Sequence, residues 1–156
     1  MTYNQKKHIE LLKRAQDLTN QGKTLFRENR EEDFELCKYN VAVERHIFWQ
    51  DRDQVALLME AFLNEKIDGE SFCDQVYGLR RKLMNTCDKF ELELISNSEK
   101  IKDFQPDERS NKLSGFLTDL YCECEYFADA EDSEKKEFYD SIKNGFLNFQ
   151  KALNEE

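Results

Sequence analysis

Proline and glycine are nearly absent from this chain, which contains one proline and five glycines in 156 residues. These residues punctuate turns, so their scarcity disfavours a sheet protein with many tight turns and favours long helices. Apolar residues at helical spacing support the same conclusion. The clearest case is the segment 70–95, in which seven apolar side chains recur every three or four residues: Phe72, Val76, Leu79, Leu83, Cys87, Phe90 and Leu94.

The same spacing predicts further helices over 4–29, 51–66 and 109–129, a second N-terminal segment after Glu31, and a last helix to residue 153. Either Asp132 or Ser133 is expected to cap the last helix. We therefore predict an all-α protein. Residues 51–156 are expected to form an antiparallel four-helix bundle, and residues 1–50 a helical extension.

Three local features of this prediction concern named residues. Asp51 is a plausible N-cap, because Gln54 stands in the capping-box position three residues later. Gly69 can adopt a positive φ and so form the turn before the helix at 70–95. In the N-terminal segment the apolar stripe is Phe34, Cys37, Val41 and Phe48, which we expect to face the core.

The net charge of −10 is spread unevenly along the chain. Residues 1–50 hold 9 basic and 8 acidic groups, whereas residues 106–156 hold 6 basic and 13 acidic groups. An acidic C-terminal third repels phosphate, so direct nucleic-acid binding and binding to acidic membranes are disfavoured. A basic protein is the partner that this charge distribution favours.

Catalytic and metal-binding signatures are absent from the sequence, which contains no phosphate-binding glycine motif and no nucleophile elbow. On a helix Cys122 and Cys124 point about 160° apart, so one metal ion could not bind both. We predict no enzyme activity, no cofactor and no metal. Five cysteines without a secretory signal indicate free thiols in a reducing compartment, the cytoplasm or an organellar matrix or stroma. Cys122 is expected to be exposed.

The strongest candidate for a functional surface is a stretch with no basic residue between Lys112 and Lys135, which contains seven carboxylates. Counting about 100° per residue places Tyr126 on the outer face of its helix, with Glu123 three residues before it and Asp129 three residues after it. An exposed tyrosine among carboxylates is a plausible hot spot against lysine and arginine. The predicted partner-binding residues are Asp119, Glu123, Glu125, Tyr126, Asp129, Glu131 and Asp132.

The segment from Leu58 to Leu83 resembles a helix–turn–helix of the colicin D-like immunity proteins, with Ile67, Gly69 and Phe72 in the places of their turn motif. Residues 117–127 and the start of the last helix are also similar, so the resemblance covers about 51–153. It implies an acidic helical bundle that binds and blocks a basic nuclease toxin by presenting carboxylates where the toxin expects phosphates. The family's contact residues do not carry over.

Two functions of different classes follow from the sequence. The first is a non-catalytic inhibitor of the immunity type, and the second is a structural or assembly protein that oligomerises through its N-terminal helices. An enzyme would be a third class and would require a metal or thiol site. In the second function the acidic face serves only solubility.

Overall fold

The chain is described by a computed structural model covering residues 2–99, 101, 104–127 and 132–154, with the side chains of 132 and 133 left out. Within these residues every regular element is helical, which confirms the predicted all-α class. The elements are α1 Gln5–Asn20, α2 Leu25–Glu28, α3 Arg30–Leu63, α4 Gly69–Ser96, a 3₁₀ helix Glu108–Leu113, α5 Phe116–Phe127 and α6 Asp132–Asn154.

The first predicted helix, over 4–29, ends earlier than expected. α1 stops at Asn20, and Gly22 follows with a φ of 72°. The N–H groups of Gly22 and Lys23 donate to the carbonyls of Thr19 and Leu18, which closes the helix in a Schellman motif. Gly22 therefore terminates α1 inside the segment that was predicted to be one helix.

The expected N-cap at Asp51 is wrong, because α3 runs without a break from Arg30 to Leu63. The helix begins instead after Asn29, whose side chain accepts hydrogen bonds from the N–H groups of Glu31 and Glu32. Asp51 lies in mid-helix and forms an ion pair of 2.8 Å with Lys82 of α4. Its carboxylate therefore joins two helices. The division of the chain at residue 50 and the four-helix bundle stay predictions.

The predicted core stripe of α3 is wrong over its N-terminal half. Phe34 is 64% exposed and Val41 and Cys37 are also exposed, whereas Phe48 is buried as expected. The packed face of this half carries instead Leu36, Tyr39 and Val43. A stripe at helical spacing shows which residues share a face, but the covering element decides which face is buried. Here α1 and α4 pack together beside α3 and cover the other face.

Two clusters of buried side chains lie along α3. The N-terminal cluster is formed by Tyr3, Leu11, Leu12, Leu25, Leu36, Tyr39, Val43 and Leu94. The C-terminal cluster is larger and includes Trp49, Met59, Phe62, Phe72, Val76, Leu117, Ile142 and Phe149. Ile47 packs against both clusters, so they meet at the middle of α3.

The turn between α3 and α4 is made differently from the prediction. Glu65, not Gly69, has the positive φ, at 57°, and its N–H donates to the carbonyl of Phe62. Gly69 is the first residue of α4. Asp68 caps this helix, because its carboxylate accepts from the N–H of Ser71 at 2.8 Å, which holds the pKa of Asp68 below its usual range.

The predicted helix over 109–129 is divided in two. Residues 108–113 form the 3₁₀ helix, and Gly115, with a φ of 77°, separates it from α5. The apolar residues at helical spacing nevertheless face inward, since Leu113, Leu117, Leu120 and Cys124 are buried and Phe116 and Phe127 are half-buried. α6 buries Phe138, Ile142 and Phe149, so α5 and α6 lie against each other with their outer faces free to form a surface.

Candidate protein-binding surface

Tyr126 lies on the outer face of α5, as the helical wheel predicted. Its side chain is 79% exposed, the largest exposed fraction among the large apolar side chains of the described residues. Leu120 and Cys124 anchor the opposite face in the core and so fix the direction in which Tyr126 points. An aromatic ring held in solvent by a rigid helix loses little conformational entropy on binding, which suits an interface residue.

The carboxylates of α5 do not form one surface. Glu125 lies toward α4, where its carboxylate is close to the hydroxyls of Tyr77 and Tyr121. Burial, followed by the negative charge of Glu125, raises the pKa of Tyr77 to about 12. The guanidinium of Arg80 lies 4.3 Å from the centroid of the Tyr121 ring in the same group. Glu125 therefore belongs to the α4–α5 contact and lies apart from Tyr126.

A groove between α5 and α6 brings the remaining elements together. This acidic groove, of about 370 Å³, is lined by Glu123, Tyr126, Phe127, Glu134, Glu137, Phe138 and Ser141. Among these described lining residues three are carboxylates and none is basic. In the sequence, residues 128–133, between Phe127 and Glu134, also contain no lysine or arginine.

Glu137 was missed by the sequence analysis, and Glu134 was counted only as one of the acidic stretch. A helical wheel places only the residues of α5 around their own helix axis, whereas the groove depends on how α6 packs against α5. A usable signal was present, because Glu134 and Glu137 are spaced i, i+3, and each stands four residues before a residue of the groove, Phe138 and Ser141 respectively. Asp129 and Glu131 lie outside the described residues, as does the side chain of Asp132.

Asp119 and Glu123 also border a second hollow further along the same helix pair. This hollow has a volume of about 320 Å³ and an apolar floor that includes Met59, Ile142 and Phe149. Gly145 of α6 lies beside it, and the methyl group of Met59 would be 3.8 Å from a Cβ at this position. The acidic groove and the hollow share Glu123 and Ser141, so together they make one elongated depression with carboxylates along its α5 side.

The two histidines have structural surroundings. His8 is fully buried; its Nδ1 lies 2.9 Å from the Tyr3 hydroxyl and its Nε2 lies 2.7 Å from Oδ1 of Asn40. His46 accepts a hydrogen bond at Nδ1 from the N–H of Asp107. Burial lowers the pKa of both imidazoles. Each histidine thus holds a peripheral segment against α3.

Within the described residues, no group of three or more His, Cys, Asp or Glu side chains is placed to hold a metal ion. Cys122 is exposed and Cys124 buried, as predicted from their opposite faces. For the same part of the chain, no helix is both long and apolar enough to cross a membrane.

Comparison with known proteins gives no match to a family model, to a curated protein or to a solved structure. The geometry of the surface therefore stands as the basis for the function.

Proposed function

We propose that this chain is a non-catalytic binding module whose acidic groove receives a basic segment of a partner protein. The observation that carries the proposal is Tyr126, an aromatic ring that is 79% exposed beside three groove-lining carboxylates. A tyrosine face attracts lysine and arginine through its quadrupole, and the surrounding carboxylates pair with the same cations. Carboxylates concentrated on one surface also speed association with a basic partner.

The resemblance to colicin D-like immunity proteins adds the class of partner. It supports a basic nuclease toxin, whose active site is shaped for phosphates and is blocked when carboxylates occupy it. The acidic C-terminal third of the chain is consistent with this form of inhibition. The shared α5–α6 depression offers both charge, from Asp119 and Glu123, and an apolar floor for the stem of a lysine or arginine.

The test uses a purified basic, tRNA-cleaving nuclease of the colicin D type as the probe. Tyr126→Ala is expected to weaken inhibition of tRNA cleavage by about tenfold or more, the effect of losing a hot-spot aromatic. Tyr126→Phe keeps the ring and should retain most of the inhibition. The double variant Glu123→Lys/Glu137→Lys should slow association strongly at low salt and flatten its salt dependence.

The matched control reverses two exposed acids on α1, Glu10→Lys and Asp17→Lys, which changes the net charge by the same amount far from the groove. The proposal is contradicted if the unmodified protein leaves cleavage unchanged, or if the two double variants have equal effects. The second result would show that net charge, not the groove, determines binding.

Self-association is a second candidate, because the N-terminal half of α3 exposes an apolar row. Phe34 and Val41 lie in solvent with Cys37 between them, and Phe26 of α2 is 53% exposed. Cations of the same chain cover two of these rings, Arg30 above Phe26 and Lys38 above Phe34. Self-association could be tested by removing residues 1–47, but this truncation would cut α3. The double variant Phe34→Asp/Val41→Asp is therefore the better test. Self-association is favoured if light scattering shows an oligomer for the unmodified protein and none for the double variant.

A further inference from the structure

Two buried thiols meet where the first turns of α4 face the end of α5. Cys73 lies on α4 and Cys124 on α5; both thiols line one cavity and lie close enough for each to shift the pKa of the other. The helices approach closely here, because ring carbons of Phe127 would lie 2.8 and 3.0 Å from a Cβ on Gly69. The absence of a side chain at Gly69 therefore allows α4 and α5 to approach closely beside the two thiols.

Access to the pair is from one side. Cys124 is fully buried, whereas Cys73 is 5% exposed. Both line a cavity of about 750 Å³ that is also bordered by Gly69, Tyr77 and Lys135. A small molecule that enters this cavity can therefore reach Cys73, whereas Cys124 is fully buried.

The two thiols differ in acidity, and the difference follows from their contact. The neighbouring Cys124 thiol lowers the pKa of Cys73, against the opposing effects of burial and of Asp74. The neighbouring Cys73 thiol, followed by burial, raises the pKa of Cys124. Thiolate is the reactive form of cysteine, and Cys73 is also the thiol that is exposed to the cavity, so Cys73 is the attacking sulfur.

We propose that Cys73 and Cys124 form a redox site that a hydroperoxide converts into a disulfide joining α4 and α5. The Cys73 thiolate attacks the terminal oxygen of the hydroperoxide and the O–O bond breaks. The departing oxygen takes up the proton that Cys73 released, which leaves a sulfenic acid on Cys73. The sulfur of Cys124 then attacks the Cys73 sulfur, the S–O bond breaks, and hydroxide leaves as water with the Cys124 proton. Two thiols are oxidised by two electrons, and the hydroperoxide is reduced to an alcohol, or water, plus water.

The remaining cysteines provide the background for a clean test. Cys37 and Cys122 are exposed and would compete by joining two chains, so both are first replaced by serine. Since no basic residue lies between Lys112 and Lys135, the tryptic peptide 113–135 contains both Cys122 and Cys124. In the Cys122→Ser background that peptide reports on Cys124 alone. Cys73 falls in peptide 67–80, and Cys87 in peptide 83–89.

Hydrogen peroxide is added to this folded double variant, and the intact mass and the tryptic peptides are measured before and after treatment with dithiothreitol. We expect the mass to fall by two hydrogen atoms, a link between peptides 67–80 and 113–135, and full reversal by dithiothreitol. A further Cys73→Ala change should abolish the link, whereas Cys87→Ala should leave it intact. The proposal is overturned if Cys87 forms the link, or if peroxide adds oxygen to Cys73 without a link. Because the mapping is done on a protein with both thiols present, poor folding of Cys73→Ala does not affect the result.

Discussion

Gly69 shows how one residue can be required for a reason that its local sequence does not reveal. The sequence predicted a positive φ there, and the structure assigns that conformation to Glu65. Gly69 matters instead because the ring of Phe127 occupies the space of a side chain. This contact joins residues that are far apart in the sequence, so no local pattern could have indicated it.

We expect Gly69→Ala to lower the free energy of unfolding by about 1–3 kcal/mol, the usual cost of overpacking. The Phe127 ring cannot move freely, because it packs against Phe138 with centroids 4.5 Å apart. Gly78→Ala is the matched control in the same helix, since nothing lies within 4 Å of its Cβ position. It should raise stability by up to about 1 kcal/mol through helix propensity. Urea unfolding of both variants checks this, and equal changes would contradict the packing explanation.

At the scale of elements, the helices themselves were predictable, but their boundaries and buried faces were less so. Periodicity gave α4 to within one residue at each end, because its stripe is long and its cap, Asp68, is a strong signal. It failed at Asp51, where a good capping residue is outweighed by the burial of Trp49 and Val55 on either side. The acidic groove could be predicted only in part, since it is made by two helices.

The surroundings of His8 predict that the attachment of α1 to α3 depends on pH. His8 faces Tyr3, Tyr39 and Asn40, and Tyr39 in turn donates to Glu35. Burial raises the pKa of both tyrosines, so they stay neutral near neutral pH. Burial lowers the pKa of His8 and so favours the neutral imidazole, in which Nε2–H donates to Oδ1 of Asn40 and Nδ1 accepts from the Tyr3 hydroxyl.

Because the pKa of His8 and His46 is lowered in the folded protein, the unfolded chain binds more protons below an ordinary histidine pKa of about 6.5. Their contribution to stability is therefore complete above that pH and is lost as the pH falls below it. We expect the urea concentration at the unfolding midpoint to decrease as the pH is lowered from about 8 to about 6, and to decrease less in the His8→Gln variant. A midpoint independent of pH in the unmodified protein would contradict this assignment, as would an unchanged slope in the variant.

At the scale of the whole molecule, the all-α class and the charge asymmetry were predictable, whereas the relation of the two halves was not. Composition and periodicity are summed over many residues and tolerate local errors. The joining of the halves depends on one helix of 34 residues that passes through both clusters of buried side chains. Ile47, midway along it, packs against both. Separating residues 1–50 as a unit would require α3 to break at this point.

We therefore expect the chain to unfold in one cooperative transition. Trp49 is buried in the C-terminal cluster and its fluorescence reports on that cluster, whereas far-ultraviolet circular dichroism reports on all helices. The two urea curves should coincide. Val43→Ala, which leaves a cavity in the N-terminal cluster, should lower the midpoint of both curves together, by a free energy of roughly 2 kcal/mol. If instead the circular dichroism changes first and the Trp49 curve keeps its midpoint, the N-terminal helices form an independent extension, and the boundary at residue 50 is correct.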